Sequence, residues 1–197
     1  MIELLDKNNK LLEHKNSLCI TYPRTVDIIF GHYPYPDHIH NFLVEIKNNL
    51  SEKMTNYTNV KGGMTEWTHF LNNPLFNDFI NFLINKHQSS KSEMFEHFYE
   101  KFVITEAWGN EIKKGDRLNF HRHLHYHGIL YLTEGCDLIL PDLNLKIKPK
   151  PGEYYVFPPE IYHGFDKSIE EDNRYSLVFN INVNDNLFKY LKKKNKI

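Results

Sequence analysis

The sequence predicts a mainly antiparallel β protein, a sandwich or barrel, preceded by a helix-rich part. From about residue 103 the chain consists of short strand-like runs separated by turn residues such as Lys114-Gly115-Asp116 and Lys150-Pro151-Gly152. Several short strands at this spacing are typical of an antiparallel sandwich or barrel. The residues before them carry apolar positions at helical spacing. Hydrophobic residues make up 41% of the 197 and aromatic residues 14%, enough for a buried core.

The predicted elements divide one folding unit into three parts. The strands of the second half are expected at 102–108, 117–123, 129–133, 137–140, 143–147, 154–157 and 175–183. In the first half, short strands are expected at 18–22 and 26–30, and helices at 37–52, from Asn73-Pro74 onward, and at 92–102. A last short helix is expected at 187–191. We therefore predict a single domain, with a helix-rich part at 1–101, a β core at 102–185 and a C-terminal tail at 186–197.

Composition excludes several classes of function. The formal charge is −1 and the pI is near 6.9, which argues against a nucleic-acid or membrane partner. No signal peptide or transmembrane run is recognisable. Two cysteines, Cys19 and Cys136, are too few for a disulfide framework, so a reducing cytoplasm is expected.

The residues His121-Arg122-His123 form the most informative motif. Histidines two apart on a strand point to the same face, and His163 follows a proline turn where an antiparallel neighbour can start. Imidazole nitrogens bind iron, copper, nickel and zinc, so these three histidines predict a metal site. Arg174 then follows, and it can hold a carboxylate beside the metal.

Other interpretations of these histidines stay open at this point. Most single histidines on a strand are core or surface residues, and four histidines between 121 and 127 are also typical of an adventitious metal-binding tract. His125 is expected to be exposed in the turn. His127 adjoins Gly128 and is expected to be a reserve ligand or a substrate contact.

An ordered set of motifs resembles a known family. The motifs are Trp108-Gly109-Asn110, Gly115-Asp116, His121-Arg122-His123, Gly128-Ile129-Leu130-Tyr131-Leu132, Pro149-Lys150-Pro151-Gly152-Glu153, Val156-Phe157-Pro158, His163-Gly164 and Arg174-Tyr175-Ser176-Leu177-Val178-Phe179-Asn180. With 59–67 upstream, the set resembles Fe(II)- and 2-oxoglutarate-dependent oxygenases of marine bacteria and their phages, a prolyl-hydroxylase-like branch of that superfamily. The resemblance covers roughly residues 59 to 183.

The resemblance implies a fold, cofactors and residue roles. The implied fold is a double-stranded β-helix, or jelly roll, which is cupin-like and is flanked by the N-terminal helices. The implied cofactors are one Fe(II), 2-oxoglutarate as co-substrate and O2. His121 and His163 would bind the iron, and Arg174, Ser176 and Tyr131 would hold the distal carboxylate of 2-oxoglutarate.

Further residues are candidates for the surroundings of the site. Trp108 and Asn110, like His127, are candidates for contacts with the substrate or with the ligands. The chain departs from the superfamily at His123, where an aspartate or glutamate is usual. Asp116 and Asp142 are considered as alternative carboxylate ligands.

The sequence therefore predicts an oxygenase that hydroxylates a protein side chain or a small molecule and releases succinate and CO2. It identifies neither the substrate nor the oligomeric state. The alternative is a cupin-type dioxygenase or isomerase that does not use 2-oxoglutarate, because 115–127 and 152–163 resemble the two cupin motifs. A metal-stabilised protein without catalysis is a third possibility. Arg174 separates the first two, unless it forms a surface ion pair with the acidic residues at 170–172.

Overall fold

A computed structural model of the chain describes residues 28–55, 58–87 and 102–183. Within these ranges the chain forms two helices, one 3₁₀ turn and eleven strands. The predicted strand at 18–22 and the predicted helix at 187–191 lie outside them. So does the predicted helix at 92–102, except for Phe102, which begins a strand.

The elements have the following bounds. The helices are α1 (Pro36–Asn48) and α2 (Pro74–His87), and the 3₁₀ turn is Pro141–Leu143. The strands are β1 (Ile29–His32), β2 (Val60–Lys61), β3 (Gly63–Met64), β4 (Phe102–Ile112), β5 (Arg117–His121), β6 (Tyr126–Tyr131), β7 (Leu138–Leu140), β8 (Leu145–Ile147), β9 (Glu153–Phe157), β10 (His163–Phe165) and β11 (Arg174–Val183).

Two antiparallel sheets face each other. One has the strand order β1-β9-β6-β11-β4-β3 and the other the order β2-β5-β10-β7-β8. Alternation along β11 sends Val178 to a core shared with Leu118 and Leu138 of the second sheet, and sends Leu177 and Phe179 to the other face. The predicted antiparallel sandwich is thus observed. Ser176 and Asn180 are each two residues from Val178 on β11, so they face the same interior side of the sheet.

The helices cover the outer face of the six-stranded sheet. Phe42 and Ile46 of α1 and Phe76 and Phe79 of α2 share a buried cluster with Phe179. This packing excludes water from the back of the sheet whose front carries the site. Gly128 makes room for it, because a Cβ there would lie 2.0 Å from the ring of Phe179.

The helix bounds follow local chemistry. The side chain of Asn73 accepts hydrogen bonds from the backbone N–H groups of Leu75 (2.9 Å) and Phe76 (3.2 Å), which fixes the predicted start of α2. Helix α1 begins at Pro36, one residue before the predicted start, and ends at Asn48, four residues before the predicted end.

The strands differ from the predictions at two places that matter for the site. Strand β5 ends at His121 rather than at residue 123, because its partner β10 begins at His163, directly opposite. Strand β6 begins at Tyr126, three residues before the predicted start. The first half contributes β1, β2 and β3, of which the last two are two-residue pairings too short for a hydrophobic pattern. No helix in the described ranges is long and apolar enough to cross a membrane.

Candidate metal centre

Three histidines converge at one end of the facing sheets. His121 is the last residue of β5, and its antiparallel partner is His163, the first residue of β10. His123 lies two residues beyond His121, and their Nε2 atoms are 3.1 Å apart. One nitrogen from each of the three residues lies within 4.8 Å of the others. The predicted alignment of His163 beside the His121-Arg122-His123 motif is therefore present.

The spacing of the rings fits a shared ion. Imidazoles that bind one ion at about 2.1 Å place their ring centroids roughly 4.6 to 5.3 Å apart for angles between 90° and tetrahedral. The centroid distances are 4.6 Å for His121 and His163, 4.8 Å for His121 and His123, and 5.2 Å for His123 and His163. The three side chains can therefore hold a divalent metal ion without rearrangement of the backbone.

Backbone carbonyl groups fix the ring orientation of two of these histidines. Nδ1 of His121 donates to the carbonyl of Asn119 at 2.8 Å, and Nδ1 of His163 donates to the carbonyl of Ile161 at 3.2 Å. Each bond places the ring hydrogen on Nδ1 and leaves a lone pair on Nε2. Outer-shell carbonyl groups orient metal-binding histidines in the same way.

Burial keeps the three rings neutral. It lowers the pKa of His123 to about 2, with the neighbouring histidines His163 and His121 adding to the effect. It lowers the pKa of His163 to about 4 and that of His121 below the ordinary value. Neutral imidazole is the form that binds a metal ion, so the site is ready for a cation at neutral pH.

No carboxylate from the described ranges joins this group. Asp116 accepts the backbone N–H of Lys113 at 2.8 Å in the turn between β4 and β5. Asp142 forms an exposed ion pair with Arg122 at 3.0 Å. The structure therefore brings neither alternative carboxylate to the histidines. His125 lies in the turn, half-buried rather than exposed.

Arg174 is buried in the same cavity. Its side chain is 3% exposed, at the start of β11, and one Nη donates to the carbonyl of Cys136 at 2.7 Å. The guanidinium lies 4.7 Å from the ring centre of Phe165 and 5.7 Å from that of Tyr131. It pairs with no carboxylate among the residues described, so the surface ion pair with 170–172 does not form.

Two hydroxyl groups beside Arg174 have no hydrogen-bond partner among the described residues. Tyr131 of β6 lies directly opposite Ser176 of β11, and both residues are at most 1% exposed. Neither hydroxyl has a hydrogen-bond partner in the described part of the chain, and nor does Nε of Arg174. Burial also raises the pKa of Tyr131, so its hydroxyl keeps its proton and can donate. Three buried polar groups are thus available to a ligand.

A glycine lets the chain cover Arg174. Gly135 has a φ of +140°, and a Cβ at this position would lie 2.7 Å from Cβ of Arg174. The loop therefore passes directly over the arginine and presents the carbonyl of Cys136 to it. Neither Gly135 nor that carbonyl was predicted from the sequence as part of the site.

One cavity joins the histidines to Arg174. It has a volume of about 440 Å³, counting the part that is open to solvent. The three histidines and Arg174 line it together with apolar side chains, among them Ile129, Leu138 and Val178. The arrangement can hold a cation at one place and an anion at another.

Trp108, Asn110 and His127 also line this cavity. Nε1 of Trp108 donates to the side chain of Asn110 at 3.0 Å, which satisfies the indole. The ring of His127 is stacked on that of His123, with centroids 3.7 Å apart and planes 16° apart. This distance is too short for the two rings to bind one ion side by side, so His127 packs against His123 and is not part of the converging group.

Sequence reasoning missed three further residues near the site. The side chain of Asn180 accepts from His127 and donates to Glu106. The hydroxyl of Ser168 is buried and lies beside the thiol of Cys136, whose carbonyl accepts from Arg174. Asn180 and Glu106 have the interior parity of Ser176 and Trp108, and this alternation is the signal that points to them.

No family model matches the chain, and no curated protein matches it. Solved structures do. The viral collagen prolyl hydroxylase of Paramecium Bursaria Chlorella virus-1, as its 2OG complex, has a TM-score of 0.60 at 13% identity, over 80% of this chain and 96% of that one. A Pseudomonas putida prolyl-4-hydroxylase has a TM-score of 0.60 at 15% identity, over 81% and 94%. HygX of Streptomyces hygroscopicus, with nickel and 2-oxoglutarate bound, has a TM-score of 0.58 at 9% identity, over 80% and 83%. These likenesses confirm the predicted fold: the chain is a double-stranded β-helix with helices on one face.

Proposed function

We propose that this protein is an Fe(II)- and 2-oxoglutarate-dependent oxygenase that hydroxylates a substrate and releases succinate and CO2. One observation carries the proposal: Arg174 is a buried cation with no carboxylate partner among the described residues, in the same cavity as three converging histidines. The cavity thus offers separate places for a metal ion and for an anion. A dicarboxylate that binds the metal with one end and Arg174 with the other fits both.

The positive charge of Arg174 makes its burial costly in free energy. Burying an unpaired charge costs several kcal/mol, about what a bound counter-ion recovers. The carbonyl of Cys136 and the faces of two aromatic rings offset only part of that cost. A stable protein that keeps such a residue is therefore expected to bind an anion there.

The chemistry of the unpaired groups favours a carboxylate. Nε of Arg174 and the hydroxyls of Tyr131 and Ser176 are all hydrogen-bond donors without a partner in the described residues. A carboxylate accepts up to four hydrogen bonds and needs several donors when it is buried. Among the structural neighbours, both the viral prolyl hydroxylase and HygX were solved with 2-oxoglutarate.

The histidines fit the proposed iron. His121, His123 and His163 would hold it, and bound iron supplies the activation of O2 and the oxidative decarboxylation of 2-oxoglutarate. The protein orients the ligands through the carbonyls of Asn119 and Ile161. It also excludes water through the apolar walls of the cavity, which protects a reactive site from side reactions.

The proposed substrate is a protein side chain or a small molecule. The neighbours include enzymes named as prolyl hydroxylases, which supports a protein side chain, and HygX was also solved with hygromycin B, which supports a small molecule. We keep the cytoplasm as the expected location, because Cys136 is a free buried thiol and the chain has one other cysteine. The near-neutral charge supports a substrate other than nucleic acid.

A cupin-type dioxygenase or isomerase is the second candidate. The observation that favours it is His123, because a three-histidine set replaces the usual two histidines and one carboxylate. Such an enzyme has no need for a buried arginine with free donors in its cavity. The two candidates therefore differ in what Arg174 does.

The test is calorimetric binding of 2-oxoglutarate to the Fe(II) protein without oxygen, for wild type, Arg174→Met and Arg117→Met. We expect Arg174→Met to weaken binding by about 2 kcal/mol or more, roughly 30-fold in Kd. Arg117 lies exposed at the start of β5, so Arg117→Met is the matched control and should bind as wild type does.

Turnover is measured alongside, as succinate formed from 2-oxoglutarate in air with Fe(II) and ascorbate. Wild-type protein that binds no 2-oxoglutarate would reject the proposal. Oxygen consumption that Arg174→Met leaves unchanged would favour the cupin-type candidate. A third outcome is a melting temperature that rises with metal, without 2-oxoglutarate binding and without succinate formation. It would indicate a metal-stabilised protein that is not an enzyme of this kind.

A further inference from the structure

His123 is held differently from the other two histidines. Strand β5 has ended before it, and within the described residues no backbone carbonyl accepts from its Nδ1. His121 and His163 each have such a carbonyl. A metal-binding ring that is free to rotate loses affinity, because its orientation must be fixed on binding. Something else must therefore orient His123.

The ring of His127 supplies that support. It lies parallel to the ring of His123, with centroids 3.7 Å apart, and it is 6% exposed. His127 is on β6, in the middle of the six-stranded sheet, so it gives a rigid surface to a ring that follows a strand end. Stacking of two aromatic rings restricts rotation of both.

Asn180 and Glu106 hold His127 through hydrogen bonds, and the three residues lie side by side on three neighbouring strands. In register, Asn180 of β11 is the partner of both His127 on β6 and Glu106 on β4. The Asn180 side chain lies 3.0 Å from Nδ1 of His127 and 2.5 Å from the carboxylate of Glu106. All three face the interior of the sandwich, because their register places them on one face.

The chemistry of the groups fixes the direction of both hydrogen bonds. The carboxylate of Glu106 accepts, so the amide nitrogen of Asn180 must be turned toward it. The amide oxygen then faces His127, whose Nδ1 must carry the hydrogen. This leaves a lone pair on Nε2 of His127. The negative charge of Glu106 polarises both hydrogen bonds, so that electron density on the His127 ring increases.

We propose that Glu106, Asn180 and His127 form a relay that positions His123 for metal binding. The proposal rests on the metal centre of the proposed function and on no step of its reaction. A metal-bound imidazole is electron-poor, so a ring made electron-rich by the relay stabilises it face to face. A carboxylate at position 123 would carry a negative charge, and histidine does not. The negative charge of Glu106, transmitted through the two hydrogen bonds, replaces part of it.

The test is Zn(II) affinity, measured by competition with a chelator, on the full chain. Asn180→Leu removes both hydrogen bonds of the Asn180 side chain and keeps its size. His127→Phe keeps an aromatic ring at this position but breaks the relay. His127→Ala removes the ring and the relay together. Loss of the relay is expected to weaken Zn(II) binding by about tenfold in Asn180→Leu. His127→Phe should be affected equally and His127→Ala more strongly.

The double variant decides whether Asn180 acts through His127. In the His127→Phe background, Asn180→Leu should change the Zn(II) affinity no further, because the relay is already absent. Glu45→Gln is the matched control, since Glu45 on α1 also bonds a histidine, His69, outside the cavity. It should bind Zn(II) as wild type does.

Electron paramagnetic resonance of the Cu(II) protein gives a second readout. Three coupled imidazoles are expected in wild type and in His127→Phe, with altered hyperfine values in Asn180→Leu. Four imidazoles in wild type and three in His127→Phe would overturn the proposal, because His127 would then be a ligand. Wild-type Zn(II) affinity in both Asn180→Leu and His127→Ala would also overturn it, as would an undiminished effect of Asn180→Leu in the His127→Phe background.

These readouts are independent of the oxygenase reaction. A shift in Zn(II) affinity without any 2-oxoglutarate binding in wild type rejects the proposed co-substrate and leaves the relay standing. Binding of 2-oxoglutarate with no Zn(II) effect of the variants does the reverse. Wild type without Zn(II) affinity rejects the relay together with the metal centre.

Discussion

Nε2 of His121 lies 3.1 Å from Nε2 of His123. In the oxygenases that the sequence resembles, a carboxylate is usual at the second of these positions. Nδ1 of His121 donates to the carbonyl of Asn119, so its Nε2 carries a lone pair that faces His123. A proton or a cation between the two nitrogens satisfies both. The identity of residue 123 therefore sets the charge of the site and its choice of metal.

His123→Asp is expected to shift the metal preference toward harder ions. An aspartate oxygen suits Mn(II) better than imidazole does, whereas imidazole favours Cu(II) and Zn(II). The ratio of the Kd for Mn(II) to that for Zn(II) should fall by about tenfold or more, measured by chelator competition. His123→Ala is the control, since it removes a ligand of either kind. Equal Mn(II) affinity in the aspartate and alanine variants would contradict the assignment of His123.

The hydroxyls of Tyr131 and Ser176 are expected to contribute separately to binding of 2-oxoglutarate. Each hydrogen bond to a charged group contributes about 1.5 to 3 kcal/mol, so Tyr131→Phe and Ser176→Ala should each weaken binding by roughly tenfold or more. Calorimetry on the Fe(II) protein without oxygen measures it. Tyr155→Phe is the matched control, because that hydroxyl bonds Glu153. Wild-type affinity in both variants would show that the carboxylate does not bind between β6 and β11.

Gly135→Ala is expected to disturb Arg174 from outside the cavity. The added Cβ would lie 2.7 Å from Cβ of Arg174. The φ angle at this position is +140°, which residues other than glycine rarely adopt. The variant should lose about 1 to 3 kcal/mol of folding stability and bind 2-oxoglutarate more weakly. Zn(II) affinity should stay unchanged, because the three histidines lie on other elements. Urea unfolding and the two binding assays separate these effects, and a parallel loss of Zn(II) affinity would contradict the local explanation.

The convergence of the three histidines could be predicted because its signal is local. A spacing of two on a predicted strand favours one face for His121 and His123, and the proline turn before His163 indicates a new strand. The register that sets His163 opposite His121 could not be derived from the pattern, because it depends on which strands pair. The end of β5 differs from the prediction for the same reason, because this strand ends where its antiparallel partner β10 begins.

The support around the site could not be predicted from single residues. Asn180 and Glu106 are ordinary polar positions until β4, β11 and β6 are placed side by side. Gly135 reads as a turn glycine, and only the structure shows Arg174 beneath it. The sequence indicates that Arg174 can hold a carboxylate, and only the resemblance names 2-oxoglutarate as that carboxylate. The burial of Arg174, and an Nε without a partner in the described part of the chain, now support this role.

The metal-free protein is expected to lose stability as the pH falls from 6.5 toward 4. Burial lowers the pKa of His163 from 6.5 to about 4 in the folded state, so the unfolded chain binds more protons in this window. Unfolding therefore becomes easier with falling pH, by about 1.4 kcal/mol per pH unit from this histidine alone. The measurement is urea unfolding of wild type and His163→Gln at pH 7, 6 and 5 with metal removed. The slope of unfolding free energy against pH should be smaller in the variant, because glutamine does not titrate. Identical slopes would show that His163 is not the buried neutral group that the geometry requires of a metal ligand.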